Sequence, residues 1–333
     1  MDHEAATGVT HPPNRGWAAV ADSTRTSLRA RPSVRSRLRQ WTRPGWPTRK
    51  EDPVGGPKQR LGIAYRLVVF VLRPILQVIT RRHWVGADRV PPEGTGVVIV
   101  ANHISHLDPI TFAHFLWDNG RATRYLAKDT LFRIPVIGKI IKSCGQIPVY
   151  RETHDAARAY RDAVKAVREG ECVVIYPEGT ITRDPQLWPM TGKTGAARVA
   201  LETGCQVLPV AQWGVQTILP PYSKRPRLWP RKAVHVRVGA PVDLGDLLGR
   251  PVTTESMRQA TDRIMAAVTA ELEIIRGETA PELRFDPRRA GTSSTGKPSA
   301  AGSAAGNDRD DGARVDDEGA GEDGDPGPES EVQ

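Results

Sequence analysis

The run V-V-I-V-A-N-H-I-S-H-L-D-P at residues 97–109 constrains the fold of this chain more than any other stretch. Val97 to Ala101 has the branched apolar character of a buried strand. Asp108-Pro109, followed by I-T-F-A-H-F-L-W, reads as an N-cap with proline at the first helical position. A strand that ends in a polar loop and passes into a helix belongs to an α/β fold, and it places His103 at a strand end. Residues five apart lie on opposite faces of a strand and roughly 140° apart around a helix, so His103 and Asp108 meet only if the chain turns between them. An imidazole whose Nδ1–H is held by a carboxylate presents Nε2 as a base near neutral pH. That is half of a serine-protease triad, with a substrate alcohol replacing the serine. Spacing alone does not select the pair: His83 and Asp88 repeat it, but Asp88 leads into Arg89-Val90-Pro91-Pro92, a strand entering a turn.

The ends of the chain differ from its middle. Residues 1–60 carry 12 Lys or Arg against 5 Asp or Glu among many Pro, Ser and Thr, and are expected to be a disordered basic arm. Residues 307–333 carry 11 acidic residues against 2 Arg, and a Gly/Ser/Ala-rich run precedes them, so 286–333 is expected to be a disordered acidic tail. With a total charge of +9, the body between is more basic than the whole. A basic body suits an anionic membrane, phosphorylated substrates or nucleic acid. No RNP-like aromatic box, zinc-finger spacing or helix-turn-helix signature accompanies it, which sets nucleic acid aside. Cys144, Cys172 and Cys205 form no paired spacing, and their apolar neighbours mark them as small core residues in a reducing, cytoplasmic setting.

Residues 61–80, L-G-I-A-Y-R-L-V-V-F-V-L-R-P-I-L-Q-V-I-T, are long enough to span a bilayer. Arg66 and Arg73 oppose that, each costing about 2.5 to 3.5 kcal/mol at the centre of a membrane helix. On a helical wheel both share a narrow arc with Gln77 and Thr80, and the remainder is almost wholly apolar. The segment 61–81 is therefore expected to be an amphipathic helix in one leaflet, its flanking arginines among lipid headgroups. The same arc would also suit a helix packed on nearly all sides. No signal-peptide pattern precedes it.

Beyond it, strand-like and helix-like stretches alternate. Strands are expected at 83–90, 96–101, 123–127, 146–150, 172–176, 206–211 and 233–238. Helices are expected at 109–118, 129–132, 135–143, 154–169, 194–203 and 254–276. This predicts one α/β domain over residues 82–285, with a mostly parallel mixed sheet flanked by helices and its active edge at the strand ends. Two further strand ends carry unusual residues. Arg151 follows C-G-Q-I-P-V-Y, and either binds a phosphate bidentately or pairs with Glu152 or Asp155 at the surface. Y-P-E-G-T at 176–180 is either an anion-accepting turn or an ordinary β-turn.

In order along the chain stand Asn102, His103 and Asp108; Gly145, Ile147, Val149 and Arg151; Tyr176 to Thr180; and Val207-Leu208-Pro209-Val210. Together these blocks resemble those of the glycerolipid acyltransferases, the family that includes 1-acylglycerol-3-phosphate acyltransferase. The resemblance covers roughly residues 61–250. It implies transfer of an acyl group from acyl-CoA or acyl carrier protein to the hydroxyl of lysophosphatidic acid, at the cytoplasmic face of an anionic membrane, by a peripheral or monotopic protein. It implies His103 as general base, Asp108 as its orienter, and Arg151 with Glu178, Gly179 and Thr180 as holders of the acceptor. A thioester is already activated, so the reaction needs a base, an oxyanion site and positioning, with no metal and no cofactor beyond the acyl donor.

Many relatives continue Glu-Gly-Thr with Arg, where this chain has Ile181. Arg183, Lys128 and Lys193 are the candidate replacements for that charge. His106 reads as a loop residue, and Trp188, Trp213 and Trp229 as lipid-interface or core residues. An apolar groove bordered by the 61–80 helix is expected to take the acyl chain. Glycerol 3-phosphate or another lysophospholipid is the alternative acceptor. A metal hydrolase using His103, His106 and Asp108, or a non-catalytic membrane-binding protein, are the other classes considered.

Overall fold

The computed structural model describes residues 61–149 and 156–291. Seven strands, β1 (Thr80–Val85), β2 (Val97–Ala101), β3 (Thr123–Lys128), β4 (Ile147–Val149), β5 (Cys172–Ile175), β6 (Gln206–Trp213) and β7 (Lys232–Val238), form one sheet in the order β1-β7-β6-β2-β5-β3-β4. Every pairing is parallel except β6 with β7. β2 is the central strand and all five of its residues are buried, as an apolar run without alternation requires when both faces are covered.

The two faces divide by the period-2 rule. Val98 and Val100 join Val173 and Val207 in a core covered by α5 (Ala156–Arg168), α6 (Gly195–Thr203) and α8 (Thr254–Arg276). Val97, Ile99 and Ala101 join Val174, Leu208 and Val210 in a second core closed by Phe112, Phe115 and Leu116 of α2 (Asp108–Asp118). α8 begins with a capping box, Thr253 accepting from the Ser256 amide and Ser256 Oγ from the Thr253 amide. Cys144 and Cys172 are buried and Cys205 is half-buried, all as free thiols; burial pushes Cys172 up to about 12, as suits an inert core thiol.

One expected element is displaced. The strand expected at 83–90 is Thr80–Val85, and Ala87–Arg89 is a 3₁₀ turn. Parallel pairing with β7 begins at Thr80, opposite Lys232, and Gly86 breaks the strand at φ +78°. The helix α1 (Ile63–Ile79) accordingly stops one residue short of Thr80, whose hydroxyl donates back to the Leu76 carbonyl. Short helices α3 (Asp129–Phe132), α4 (Ile137–Ser143) and α7 (Val215–Ile218) complete the fold, and α7 carries too few residues for a periodic signal. The other expected elements stand within two residues of their expected bounds. The arm 1–60, residues 292–333 of the tail, and the joint at 150–155, Arg151 included, lie outside the described residues.

α1 is set against α2, α4 and β1, outside the second core. Tyr65 and Leu76 are buried, whereas Ile63, Leu67, Phe70 and Val78 are each more than 60% exposed. Among the described residues no helix is long and apolar enough to cross a membrane.

Candidate active site

The loop between β2 and α2 folds around one carboxylate oxygen. Asp108 Oδ2 accepts from the Ile104 amide at 2.6 Å and the Ser105 amide at 2.8 Å, and lies 2.9 Å from His103 Nδ1. Asp108 is fully buried at the first turn of α2, where the helix dipole also favours negative charge. Leu107, one residue earlier than the sequence suggested, is the N-cap, so Asp108 collects loop amides and an imidazole instead of capping. Ser105 fastens the loop from outside, its hydroxyl donating to the Leu219 carbonyl at 2.8 Å. Nδ1 is thus committed and Nε2 is the nitrogen left for chemistry. The His103 side chain keeps 16% exposure.

His103 is fixed at its backbone as well. Its amide donates to Glu178 Oε1 at 3.1 Å, and its carbonyl accepts from the Thr182 amide at 2.7 Å. Glu178 Oε2 accepts from the Met190 amide at 3.0 Å. Glu178 therefore corrects one expectation: it is buried with both oxygens on backbone amides, and ties three loops together where substrate contact was expected. Burial pushes its carboxyl up to about 8, with the Met190 and His103 amides pulling the other way and the Asp108 and Asp184 charges adding to the rise. Gly179 turns the chain at φ +71°, and an added Cβ would stand 3.0 Å from Lys193 Nζ.

Aromatic rings close one side. Tyr176 stacks on the His103 ring with centroids 4.5 Å apart, and Tyr125 stacks on Tyr176 at 6.2 Å. Gln212 Nε2 donates to the Tyr176 hydroxyl at 3.4 Å. Asn102 bridges β2 to β6 reciprocally, donating to the Gln212 carbonyl at 3.0 Å and accepting from its amide at 2.8 Å. The sequence marked Asn102 and Tyr176 only as parts of blocks and gave no sign of Gln212, because each acts across the sheet.

His103 opens on a cavity of about 1000 Å³. Lys128, Gly179 and Thr180 line it at the His103 end, and Thr123, Cys144, Gln146 and Tyr65 lie further along. β3 lines it from Lys128 back to Thr123, roughly 17 Å at 3.3 Å per residue. Val68, Val69 and Leu72 of α1 form part of its apolar wall, so the helix borders the groove.

Residues 81–213 match the protein-family model described as Acyltransferase. The match takes in His103, Asp108 and Tyr176 to Thr180. The chloroplastic 1-acyl-sn-glycerol-3-phosphate acyltransferase of Brassica napus is 32% identical over 136 residues, 40% of this chain and 38% of that protein. The 1-acyl-sn-glycerol-3-phosphate acyltransferase of Borreliella burgdorferi is 35% identical over 128 residues, 38% and 48% of the two chains. The chain thus spans less than half the length of either relative. Among solved structures, the 1-acyl-sn-glycerophosphate (LPA) acyltransferase of Thermotoga maritima aligns with 65% of this chain and 84% of that one, at 21% identity and a TM-score of 0.46.

Within the matched stretch the expected site residues separate. His103, Asp108, Glu178, Gly179 and Thr180 come together, and Lys128 shares the cavity from the end of β3. Arg183 is half-buried, with its amide 3.2 Å from Met190 Sδ, and does not line the cavity. Lys193 is exposed next to Gly179, its amide donating to the Pro177 carbonyl, and is not among the residues lining the cavity. His106 is an exposed loop residue at the cavity edge, its pKa lowered by partial burial and by neighbouring His103. Trp188 and Trp213 sandwich the Arg276 guanidinium at 3.9 and 4.5 Å and belong to the core, whereas Trp229 is 79% exposed. Among the described residues no group of three or more His, Cys, Asp or Glu is arranged to hold a metal ion.

Proposed function

We propose that this chain transfers a fatty acyl group from a thioester, acyl-CoA or acyl carrier protein, to the free hydroxyl of lysophosphatidic acid, giving phosphatidic acid. The observation that carries the reading is the His103–Asp108 pair at the end of a large apolar cavity. His103 Nε2 takes the proton of the acceptor hydroxyl as its oxygen attacks the thioester carbonyl. Asp108 holds the imidazole in the Nδ1–H tautomer and offsets the imidazolium that forms. Collapse of the tetrahedral adduct breaks the C–S bond, and the imidazolium returns the proton to the departing thiolate, leaving an ester and a free thiol. The acyl chain lies along β3 in the cavity. Lys128 at the cavity end and Arg151 hold the acceptor's phosphate. The protein works at the cytoplasmic face of an anionic membrane as a peripheral or monotopic protein, and the exposed apolar side chains of α1 support that location.

The test is turnover of purified full-length protein with labelled acyl donor against lysophosphatidic acid, glycerol 3-phosphate, other lysophospholipids and phosphate-free alcohols. Lysophosphatidic acid is expected to react fastest, and Arg151→Ala to raise its KM more than it lowers kcat. Equal rates on phosphate-free alcohols would remove the phosphate-holding role of Arg151 and Lys128.

A further inference from the structure

Residues 221–232, P-Y-S-K-R-P-R-L-W-P-R-K, contain five Lys or Arg and no acidic residue. Leu228 is 46% and Trp229 79% exposed, and Lys224, Arg225 and Arg227 around them are exposed as well. Solvent gains nothing from a bare indole beside these three cations, but the headgroup layer of an anionic bilayer suits both. The segment is also fixed at each end to the parts of the molecule that face lipid in the reading above. At one end the Tyr222 hydroxyl donates to the Ile181 carbonyl at 2.7 Å, and Tyr222 lines the cavity beside Gly179 and Thr180. At the other, Arg231 Nη2 donates to the Gln77 and Thr80 carbonyls at 2.9 and 2.8 Å, where α1 ends. Ile75 and Val78, in the last turns of α1, are 48% and 63% exposed, so the apolar surface of the helix lies next to that tie. Both α1 and this segment fall outside the stretch that matches the acyltransferase family model.

We propose that residues 222–232 are a second bilayer-contacting element, in which Leu228 and Trp229 enter the interface of an anionic membrane while the surrounding cations bind its phosphate headgroups. α1 alone fixes a line on the membrane and leaves the protein free to roll about it. A second contact tied to the end of α1 removes that freedom and sets the side of the cavity that Tyr222 lines toward the lipid. The inference rests on the membrane location proposed above, and its test reads membrane binding separately from turnover.

The full chain is sedimented at physiological salt with vesicles of phosphatidylcholine alone and of phosphatidylcholine with phosphatidylglycerol. The wild type is compared with Leu228→Ser/Trp229→Ser, with Arg225→Glu/Arg227→Glu, and with Phe70→Ser/Val78→Ser in α1. The wild type is expected to bind the anionic vesicles more tightly, and each loop pair to lower that partition about tenfold or more. Turnover on lysophosphatidic acid dispersed in non-ionic detergent is expected to stay at the wild-type level in both loop variants, which also establishes that they fold. Loop variants that bind as the wild type does, with loss confined to the α1 variant, would overturn the proposal. So would tighter binding of the wild type to duplex RNA than to anionic vesicles, abolished by the loop changes. Wild-type protein that acylates nothing in detergent, yet loses vesicle binding with the loop pairs, would remove the acyltransferase reading and leave the second anchor standing.

Discussion

Two segments of this protein share the spacing His-x-x-x-x-Asp, and only one of them makes a pair. His83 lies on the edge strand β1, exposed, and stacks on His235 of β7 with ring centroids 4.6 Å apart. The chain then turns at Gly86 into a 3₁₀ segment that leaves Asp88 at the surface. His103 leaves the central strand instead, and the loop after it curls around a fully buried Asp108 at the start of a helix. The difference is what the carboxylate gathers. Asp108 satisfies two buried backbone donors besides the imidazole, so loop, helix start and base are held by one charge. At an edge strand with water alongside, no such demand exists.

That contrast sets the size of each expected effect. His103→Ala should lower kcat about 10² to 10⁴-fold in the lysophosphatidic acid assay, the range a general base supplies; retention of more than a tenth of the activity would end its role as base. Asp108→Asn should cost less turnover but more stability. The amide withdraws the charge shared by three donors, and leaving buried amides poorly satisfied costs about 1–3 kcal/mol, so a thermal midpoint equal to the wild type would refute the clasp. Glu178 gives a pH signature. Its carboxyl is raised from 4.5 to about 8, so the folded state keeps a proton that the unfolded chain releases, and stability should fall as pH rises from about 4.5 through about 8. Glu178→Gln should remove that part of the slope of midpoint against pH, whatever its cost at a single pH. The smallest effect belongs to the decoy: His83→Ala and Asp88→Asn should each change kcat less than twofold, and a large loss from either would show that spacing alone carries function.

The sequence made much of this site legible because its elements are local. A branched apolar run, Asp-Pro before a helical pattern, and Gly after Tyr-Pro-Glu report strand, helix start and turn through nearest-neighbour sterics. The strand at 83–90 was displaced because its bounds depend on β7, some 150 residues later, which pairs from Thr80 onward. Glu178 was misplaced for the same kind of reason. An acidic residue in a turn is ordinarily solvated, and only the arrival of the Met190 and His103 amides from either side makes an inward carboxyl possible. Arg183 likewise is the right kind of residue for a phosphate, and the fold does not bring it to the cavity.

What the amino-acid order determined by itself is the alternation of elements, the strand end that presents His103, and the carboxylate five positions on that can meet it. Those follow from backbone sterics and side-chain periodicity, which act within a few residues. The tertiary structure alone decided which way Glu178 faces, and that β3 and α1 enclose one cavity running away from the imidazole. These depend on burial and on hydrogen-bond partners brought together from distant parts of the chain, and neither quantity exists until the sheet has formed.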